Sequence, residues 1–186
     1  MSEPYFTIGH SNRSIDEFIE LLHENEIRRL ADIRKLAGSR ANPQFNQDAL
    51  EAALAQAGID YVRIEALGGL RGRTPEVSAD ANALWRNASF HRYADYTLTP
   101  AFRHGLATLI EQGRHARCAA MCAEAVWWRC HRRIVADQLL AHGETVFHIL
   151  GHGRIEPAQL TPGAVVGADH RVRYPAAGDA PERPPR

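Results

Sequence analysis

The chain has little cysteine, almost no lysine and no long apolar run. Its 186 residues include three cysteines, Cys118, Cys122 and Cys130, which are too few for a disulfide framework and fit a reducing compartment. No apolar stretch approaches the roughly 18 residues of a membrane-spanning helix. Residues 1–4 lack a basic segment followed by an apolar core, so no secretory signal is predicted. These absences exclude a disulfide-stapled mini-protein, and they predict a cytoplasmic protein with no membrane partner.

The composition is that of a folded domain. Apolar residues make up 45% of the chain and charged residues 24%, ordinary globular values that exclude a disordered or collagen-like chain. A chain of this length buries a full hydrophobic core. We expect one α/β domain over residues 1–175 and a disordered tail over 176–186, where proline, alanine and arginine dominate. The net charge is zero, so no strong overall attraction to nucleic acid is implied, and nothing indicates an oligomeric state.

Short apolar runs alternate with amphipathic stretches along the chain. Helix-capping residues are predicted at Ser14, within a capping box, and at Asn46. The predicted strands cover residues 5–9, 30–34, 59–64, 118–122 and 145–150, and the predicted helices begin at residues 14, 46, 99 and about 128. Residues 65–90 show no clear periodicity and are predicted as a long loop. This alternation predicts a three-layer α/β/α, Rossmann-like fold with a mostly parallel sheet.

Polar residues follow most of the predicted strands. In open α/β sheets, ligands bind beyond the carboxyl ends of the strands, so these residues are expected to converge on one edge. The candidates are His10, Ser11, Asp32, Arg34, Gly68, Gly69, Arg71, Cys122 and Glu124. The segments 28–40, 63–73 and 124–133 each carry a net positive charge. The sequence therefore predicts an anionic ligand, phosphate-bearing or nucleotide-like, although arginines kept for solubility remain an alternative.

The segment from Cys122 to Arg132 is the densest in reactive side chains. Exposed N–H groups at a helix start and neighbouring cations lower the pKa of a thiol, and Cys130 is placed for that effect beside His131 and Arg132. The spacing of cysteine-dependent phosphatases fails here, because Trp128 stands six residues after Cys122. Both thiols could equally be small buried apolar groups.

These residues suggest roles in an enzyme of the hydrolase or transferase class, although the sequence does not establish that the chain is an enzyme. Cys122 or Cys130 would be the nucleophile or redox centre, and Glu124 or His131 the general acid or base. Asp32 would orient a base or a substrate hydroxyl. The remaining roles are anion contacts from Arg34, Arg71 and Arg132, backbone contacts from Gly68 and Gly69, and rim contacts from His10 and Ser11.

A metal-assisted hydrolase is an alternative interpretation. Cys122, Cys130, His131 and His10 could supply four zinc or iron ligands. Their spacing is not that of a zinc finger or zinc ribbon. No cofactor and no metal ligand is therefore predicted.

A nucleic-acid-binding module without catalysis is the second alternative. Its phosphate contacts would be Arg34, Lys35, Arg40, Arg71, Arg73 and Arg132. Aromatic rings for stacking on bases would come from Trp85, Phe90 and Tyr93, or from the pair Trp127 and Trp128. Binding of this kind would weaken steeply with salt.

Several motifs together resemble a known family, the bacterial and archaeal domain of unknown function 488. The most specific are Met121–Glu124 and Cys130–Arg132, and the others are Thr7–Ser11, Asp32–Arg34, Leu67–Gly69 and Val146–Ile149. The resemblance covers residues 5–175. It implies a three-layer α/β domain with a functional cluster on these motifs, and it implies no reaction. The Trp127–Trp128 pair departs from the family pattern, in which a proline-containing turn is typical, and this could alter the loop between the two cysteines.

Overall fold

The computed structural model describes residues 2–177. From residue 178 onward, the tail predicted over 176–186 lies outside the described residues. The strands are β1 (Tyr5–Gly9), β2 (Arg29–Asp32), β3 (Asp60–Arg63), β4 (Cys118–Cys122), β5 (Val146–Gly151), β6 (Arg154–Pro157), β7 (Val165–Val166) and β8 (Val172–Arg173). The α-helices are α1 (Ile15–Glu24), α2 (Gln47–Gln56), α3 (Ala88–Tyr96), α4 (Pro100–His115) and α5 (Arg132–Ala141). Short 3₁₀ turns lie at Pro43–Phe45, Glu65–Leu67 and Trp127–Arg129.

Six strands form one sheet in the order β3-β2-β4-β1-β5-β6. The first five are parallel, and β6 pairs antiparallel with β5 at the edge. Strand β4 lies between β2 and β1, and its register places Cys122 beside Gly9 and Met121 beside Asp32. The carboxyl ends of these three central strands therefore lie side by side. The predicted three-layer α/β/α fold is confirmed.

The two faces of the sheet are covered by different helices. Because side chains alternate along a strand, Tyr5 packs with α3, α4 and α5, while its neighbour Phe6 packs with α1 and α2. Strand β4 behaves in the same way, with Cys118 on the first face and Met121 on the second. These two apolar layers hold the central strands rigidly, and so they fix the positions of the residues that follow them.

Three features differ from the sequence prediction. Helix α3 lies partly within the stretch predicted as a loop, and β6, β7 and β8 were not predicted. These three strands are short and largely exposed, so they lack the buried apolar run that marks the central strands. Helix α5 begins at Arg132 rather than near residue 128, because Cys130 has extended backbone angles that interrupt the helix.

The two predicted helix caps have different outcomes. The Ser14 hydroxyl accepts a hydrogen bond from the Glu17 backbone N–H, as the capping box predicts. Asn46 precedes α2, but its side-chain oxygen accepts from the Ser39 N–H instead. Asn46 therefore stabilises the loop after β2 rather than the helix. Among residues 2–177, no helix is both long enough and apolar enough to cross a membrane.

Candidate functional site

A cleft of about 500 Å³ opens at the carboxyl edge of the central strands. Segments that follow four of the strands line it, together with the start of α3. Seven of the twelve predicted site residues line this cleft: His10, Arg34, Gly69, Cys122, Glu124, Cys130 and His131. The convergence expected from strand order is therefore observed for more than half of the candidates.

Two free thiols lie at the floor of the cleft. Cys122 ends β4, and Cys130 follows the 3₁₀ turn that leads into α5. Their Sγ atoms are 2.6 Å apart. Both side chains are buried, with 2% of Cys122 and 6% of Cys130 exposed, yet both contribute to the cleft wall. The arrangement is a buried dithiol that a small molecule in the cleft can touch.

The imidazole of His131 has a defined tautomer. Its Nε2 lies 3.0 Å from the carbonyl oxygen of Ile33, which only accepts, so Nε2 carries the hydrogen. The Nδ1 atom is then an acceptor, 3.5 Å from the Cys130 Sγ. Burial lowers the pKa of His131, which favours a neutral ring. His131 therefore presents an unprotonated nitrogen to the thiol.

Arg132 is fully buried and holds the connection between β4 and α5. Its guanidinium donates to the Cys122 Sγ at 2.8 Å, to the Glu124 carbonyl oxygen at 2.6 Å and to the Ala125 carbonyl oxygen at 3.0 Å. Its backbone N–H lies 3.5 Å from the Cys130 Sγ. Arg132 therefore acts from behind the dithiol, because it is not itself exposed to the cleft.

The two thiols are electrostatically unequal. Burial and the hydrogen bond with Cys130 raise the pKa of Cys122 well above its ordinary value. Burial acts to raise the pKa of Cys130 as well, but the hydrogen bond from Cys122 and the charge of Arg132 outweigh it and lower that pKa. The pair therefore favours a Cys130 thiolate that accepts a hydrogen bond from the Cys122 thiol.

Asp32 and Arg34 form a buried ion pair beside the cleft. The guanidinium donates to both carboxylate oxygens, at 2.9 Å and 2.7 Å, and the Tyr61 hydroxyl donates to the second oxygen at 2.6 Å. Asp32 is fully buried and does not line the cleft. Its oxygens already have donors, so in this arrangement it positions Arg34.

His10 lies next to the Arg34 guanidinium of the same ion pair. Its Nδ1 lies 2.8 Å from the Ser11 carbonyl oxygen and therefore carries the hydrogen, and its ring stacks on Phe45 with centroids 4.4 Å apart. The Nε2 atom is then an acceptor, 3.5 Å from the Arg34 guanidinium. Burial lowers the pKa of His10, so a neutral ring is favoured here too.

The remaining predicted residues, Ser11, Asp32, Gly68, Arg71 and Arg132, do not line the cleft. The Arg71 guanidinium donates to the carbonyl oxygens of Gly68 and Glu65 and lies over the Tyr96 ring at 4.2 Å. It holds the loop after β3 in place. The Gly68 backbone lies so close to Lys35 that a Cβ would collide with it. Both residues therefore support the cleft wall.

The four side chains of the metal interpretation do not form a ligand set. Among residues 2–177, no three His, Cys, Asp or Glu side chains are grouped as they would be around a metal ion. The two thiols contact each other and His131, whose Nε2 is engaged by a backbone carbonyl. The geometry therefore offers no support for a metal site.

One known protein family matches most of the chain. The family described as domain of unknown function DUF488 matches residues 14–139, which is more than half of the sequence. The chain belongs to the DUF488 family. No curated protein and no solved structure gives a significant match. The matched range includes Cys122, Cys130, His131 and Arg132, so the dithiol of this DUF488 domain lies within the family segment, whereas His10 lies before it.

Several residues of the DUF488 cleft were not found from the sequence, among them two leucines and two residues at the start of α3. Leu36 and Leu70 are exposed at its mouth, and Asn87 and Ser89 belong to the start of α3. The Asn87 side chain accepts hydrogen bonds from the N–H groups of Ser89 and Phe90. An asparagine cap before apolar residues three and four apart is a helix signal, so this part of the cleft was recognisable. The two leucines carry no such signal.

Proposed function

We propose that this DUF488 protein is a thiol-dependent enzyme, a hydrolase or transferase, in which Cys130 attacks a small anionic substrate. The observation that carries the proposal is the dithiol at the floor of a cleft large enough for a small ligand. A thiolate, not a thiol, is the nucleophile, and the contacts around Cys130 favour that form.

His131 is the proposed partner in proton transfer. Its free Nδ1 lies 3.5 Å from the Cys130 Sγ, so it is placed to accept the Cys130 proton when the thiolate forms, before the attack. A nucleophile, a base within reach and a third group that orients the base are the usual parts of such a site. Here the Ile33 carbonyl is the orienting group. Glu124, exposed on the cleft wall, is a second candidate for proton transfer to a leaving group.

The cations at the cleft support an anionic substrate. Lys35 and Arg129 line it with no ion-pair partner within the described residues. Arg34 also lines it, although Asp32 neutralises its charge. Glu124 opposes these cations, so the net attraction is local and modest. A phosphate- or carboxylate-bearing small molecule fits this balance.

A nucleic-acid-binding surface has less support. Tyr93 is buried in the core, and Trp85 and Phe90 stack on each other with centroids 5.1 Å apart. Trp127 stacks on His148 at 4.6 Å. Trp85, Phe90 and Trp127 are only partly exposed and already stack on other rings, and of the proposed stacking pair Trp128 alone is exposed. The free thiols also suit a reducing cytoplasm, which we infer as the location.

The test is alkylation of each cysteine in the reduced protein as a function of pH, followed by peptide mapping. We expect Cys130 to react with an apparent pKa below the ordinary value of about 8.5. Cys118, whose pKa burial raises to about 12, should stay unreactive until the protein unfolds, and it serves as the internal control. A Cys130 that reacts no faster in the folded protein than in urea would contradict the proposal.

The same experiment with two reagents tests the anion preference. Iodoacetate carries a negative charge that iodoacetamide lacks. The rate with iodoacetate divided by the rate with iodoacetamide therefore reports the electrostatic potential at the sulfur atom. We expect the ratio to be higher in the folded protein than in urea, and to fall with salt as screening grows. Lys35→Gln and Arg129→Gln should lower the ratio. Arg28→Gln, an exposed residue that precedes β2 at the other end of the sheet, should not.

A further inference from the structure

The dithiol has a second nucleophile that the proposed reaction does not use. Cys122 lies against Cys130, and both sulfurs are closer than a non-bonded contact normally allows. A disulfide has an S–S length of about 2.05 Å, so the two sulfur atoms, on a strand end and the turn that precedes α5, need to approach only slightly to join. The proposed attack on an anionic substrate uses Cys122 only as a hydrogen-bond donor to Cys130, and it leaves the nucleophilic sulfur of Cys122 without a function.

We propose that Cys130 also reduces a small hydroperoxide and that Cys122 then closes a reversible disulfide with it. This inference rests on the proposed function in one respect, the Cys130 thiolate. The structure contributes three independent observations. These are the resolving thiol in contact, the guanidinium of Arg132 on the sulfur of Cys122, and an opening of the cleft onto both cysteines.

The small exposure of Cys130 limits the size of the oxidant that can reach its sulfur atom. Cys130 exposes a small fraction of its surface, and it does so at the floor of the cleft rather than on the outer surface. A hydroperoxide of a few atoms reaches such a sulfur, whereas a disulfide-bonded peptide needs room on both sides of its own sulfur atoms. The oxidation that fits this site is therefore peroxide reduction rather than exchange with a protein disulfide.

The chemistry balances in two steps. In the first, the Cys130 thiolate attacks the outer peroxide oxygen, and the O–O bond breaks. Sulfur gives up two electrons and becomes a sulfenic acid, and the departing alkoxide or hydroxide takes up one proton from the solvent, which replaces the proton that Cys130 released when it formed the thiolate. In the second, the Cys122 sulfur attacks the sulfenic sulfur, and water leaves with the sulfenic oxygen. The products are one disulfide, one alcohol or water from the peroxide, and one further water.

The disulfide would switch off the proposed enzyme, because a Cys130 sulfur bonded to Cys122 can no longer form the thiolate that attacks a substrate. Reduction by a small dithiol restores both thiols through exchange at the exposed edge of Cys130. Cys118 has no part in this process. It is buried on β4 four residues earlier, and it faces the core formed with α3, α4 and α5.

The experiment uses the full chain, reduced and freed of reductant, mixed with equimolar hydrogen peroxide. We expect the intact mass to fall by two hydrogens, peptide mapping to link Cys122 to Cys130, and a dithiol to reverse the change. We expect the reaction to be at least about tenfold faster than in the urea-unfolded chain, as a thiolate beside a cation is the reactive form. Cys118→Ala is the matched control and should behave like the parent protein.

Two variants show which cysteine attacks the peroxide and which one closes the disulfide. Cys122→Ser should gain one oxygen, captured by dimedone as a sulfenic acid, and Cys130→Ser should remain unoxidised over the same time. Should Cys130 alkylate as the proposed function requires while peroxide leaves the mass unchanged, the peroxide inference alone is overturned. If Cys130 neither alkylates nor oxidises, both proposals fail. The Cys122–Cys130 disulfide expected in the parent protein tests the proposal even if a variant does not fold.

Discussion

At the scale of single residues, Gly9 connects the strand register to the dithiol. It pairs with Cys122, and a Cβ at this position would lie inside the backbone carbonyl of Glu124 and close to the Arg132 guanidinium. Only a residue without a side chain permits the connection after β4 to pass so close to β1. The position of the dithiol therefore depends on the absence of a Cβ atom at Gly9.

We predict that Gly9→Ala displaces this connection. Overpacking in a rigid interior typically costs about 1–3 kcal/mol of unfolding free energy, and the same displacement should slow Cys130 alkylation at neutral pH. Gly151→Ala is the matched control, because Gly151 ends the adjacent strand and a Cβ there meets nothing within 4 Å. Chemical denaturation and alkylation of both variants check this. Equal stability of the two would show that the connection moves aside freely.

Individual contacts were the hardest feature to predict from the sequence. The Cys122 and Cys130 motifs were recognisable, because cysteine beside histidine and arginine is typical of reactive thiols. The burial of Arg132 was not, since arginine is rarely fully buried unless paired, and its partners here are two backbone carbonyls and a sulfur atom. Such partners exist only once the chain is folded. The predicted anion contact from Arg132 stays a prediction that its burial does not favour.

At the scale of elements, the connection between β4 and α5 is the part on which the site depends. We predict that Arg132→Lys weakens it, because an ammonium group keeps the charge but lacks the planar fork that reaches several acceptors. The carbonyls of Glu124 and Ala125 would lose donors, at about 1–3 kcal/mol for each buried group left unsatisfied. The pKa of Cys130 should rise, because a loosened connection moves the positive charge and the backbone N–H of residue 132 away from the sulfur.

The neighbouring residue offers a control for this variant. Arg133 lies on the same helix, donates to the Thr161 hydroxyl and approaches the rings of Trp85 and Trp127, and it touches neither sulfur. Arg133→Lys should therefore leave the alkylation profile of Cys130 unchanged. The measurement is the pH dependence of alkylation in both variants. A shift of the same size in both would mean that general loosening, rather than the contacts of Arg132, sets the reactivity.

The central elements were predictable because burial leaves a pattern in the sequence. Strands β1 and β4 are continuous apolar or small-residue runs, fully buried in the structure, and the sequence places both correctly. Strand β6 is exposed along its whole length at the sheet edge, so the composition there resembles a loop. Helix α3 has an asparagine cap and an apolar face, but it is short and follows a long irregular segment. Its place at the cleft depends on tertiary packing.

At the scale of the whole molecule, buried neutral histidines tie stability to pH. Burial lowers the pKa of His10, of His131 and, to about 3, of His148. The His148 Nδ1 atom and the Thr7 hydroxyl share a hydrogen bond of 2.6 Å. The His148 ring stacks on Trp127, and the positive charge of Arg132 also acts on it. In the unfolded chain these rings take up protons below the ordinary value of about 6.5. The folded protein does not take them up until lower pH.

The direction in which the unfolding free energy changes with pH depends on which state, folded or unfolded, binds more protons. Since the unfolded state binds more protons below about pH 6.5, the unfolding free energy must fall as the pH falls. The stability that neutral His148 contributes is complete above that pH and is lost progressively toward pH 3. For His148 alone, the loss between pH 7 and pH 5 is about 2 kcal/mol. Burial raises the pKa of Asp137 and acts in the opposite direction, so a comparison of variants is needed to isolate the histidine.

We predict that His148→Gln removes about 2 kcal/mol from the difference in unfolding free energy between pH 7 and pH 5. Glutamine does not titrate, and the other groups, Asp137 included, are the same in both proteins. His104→Gln is the matched control, since the His104 side chain is exposed on α4, and it should keep the pH dependence of the parent protein. Urea denaturation at the two pH values measures both variants. An unchanged difference in His148→Gln would mean that His148 titrates in the folded protein much as it does in the unfolded chain. The acid sensitivity of the molecule would then reside in the other histidines whose pKa values burial lowers, His10, His131 and His142, of which the first two line the cleft.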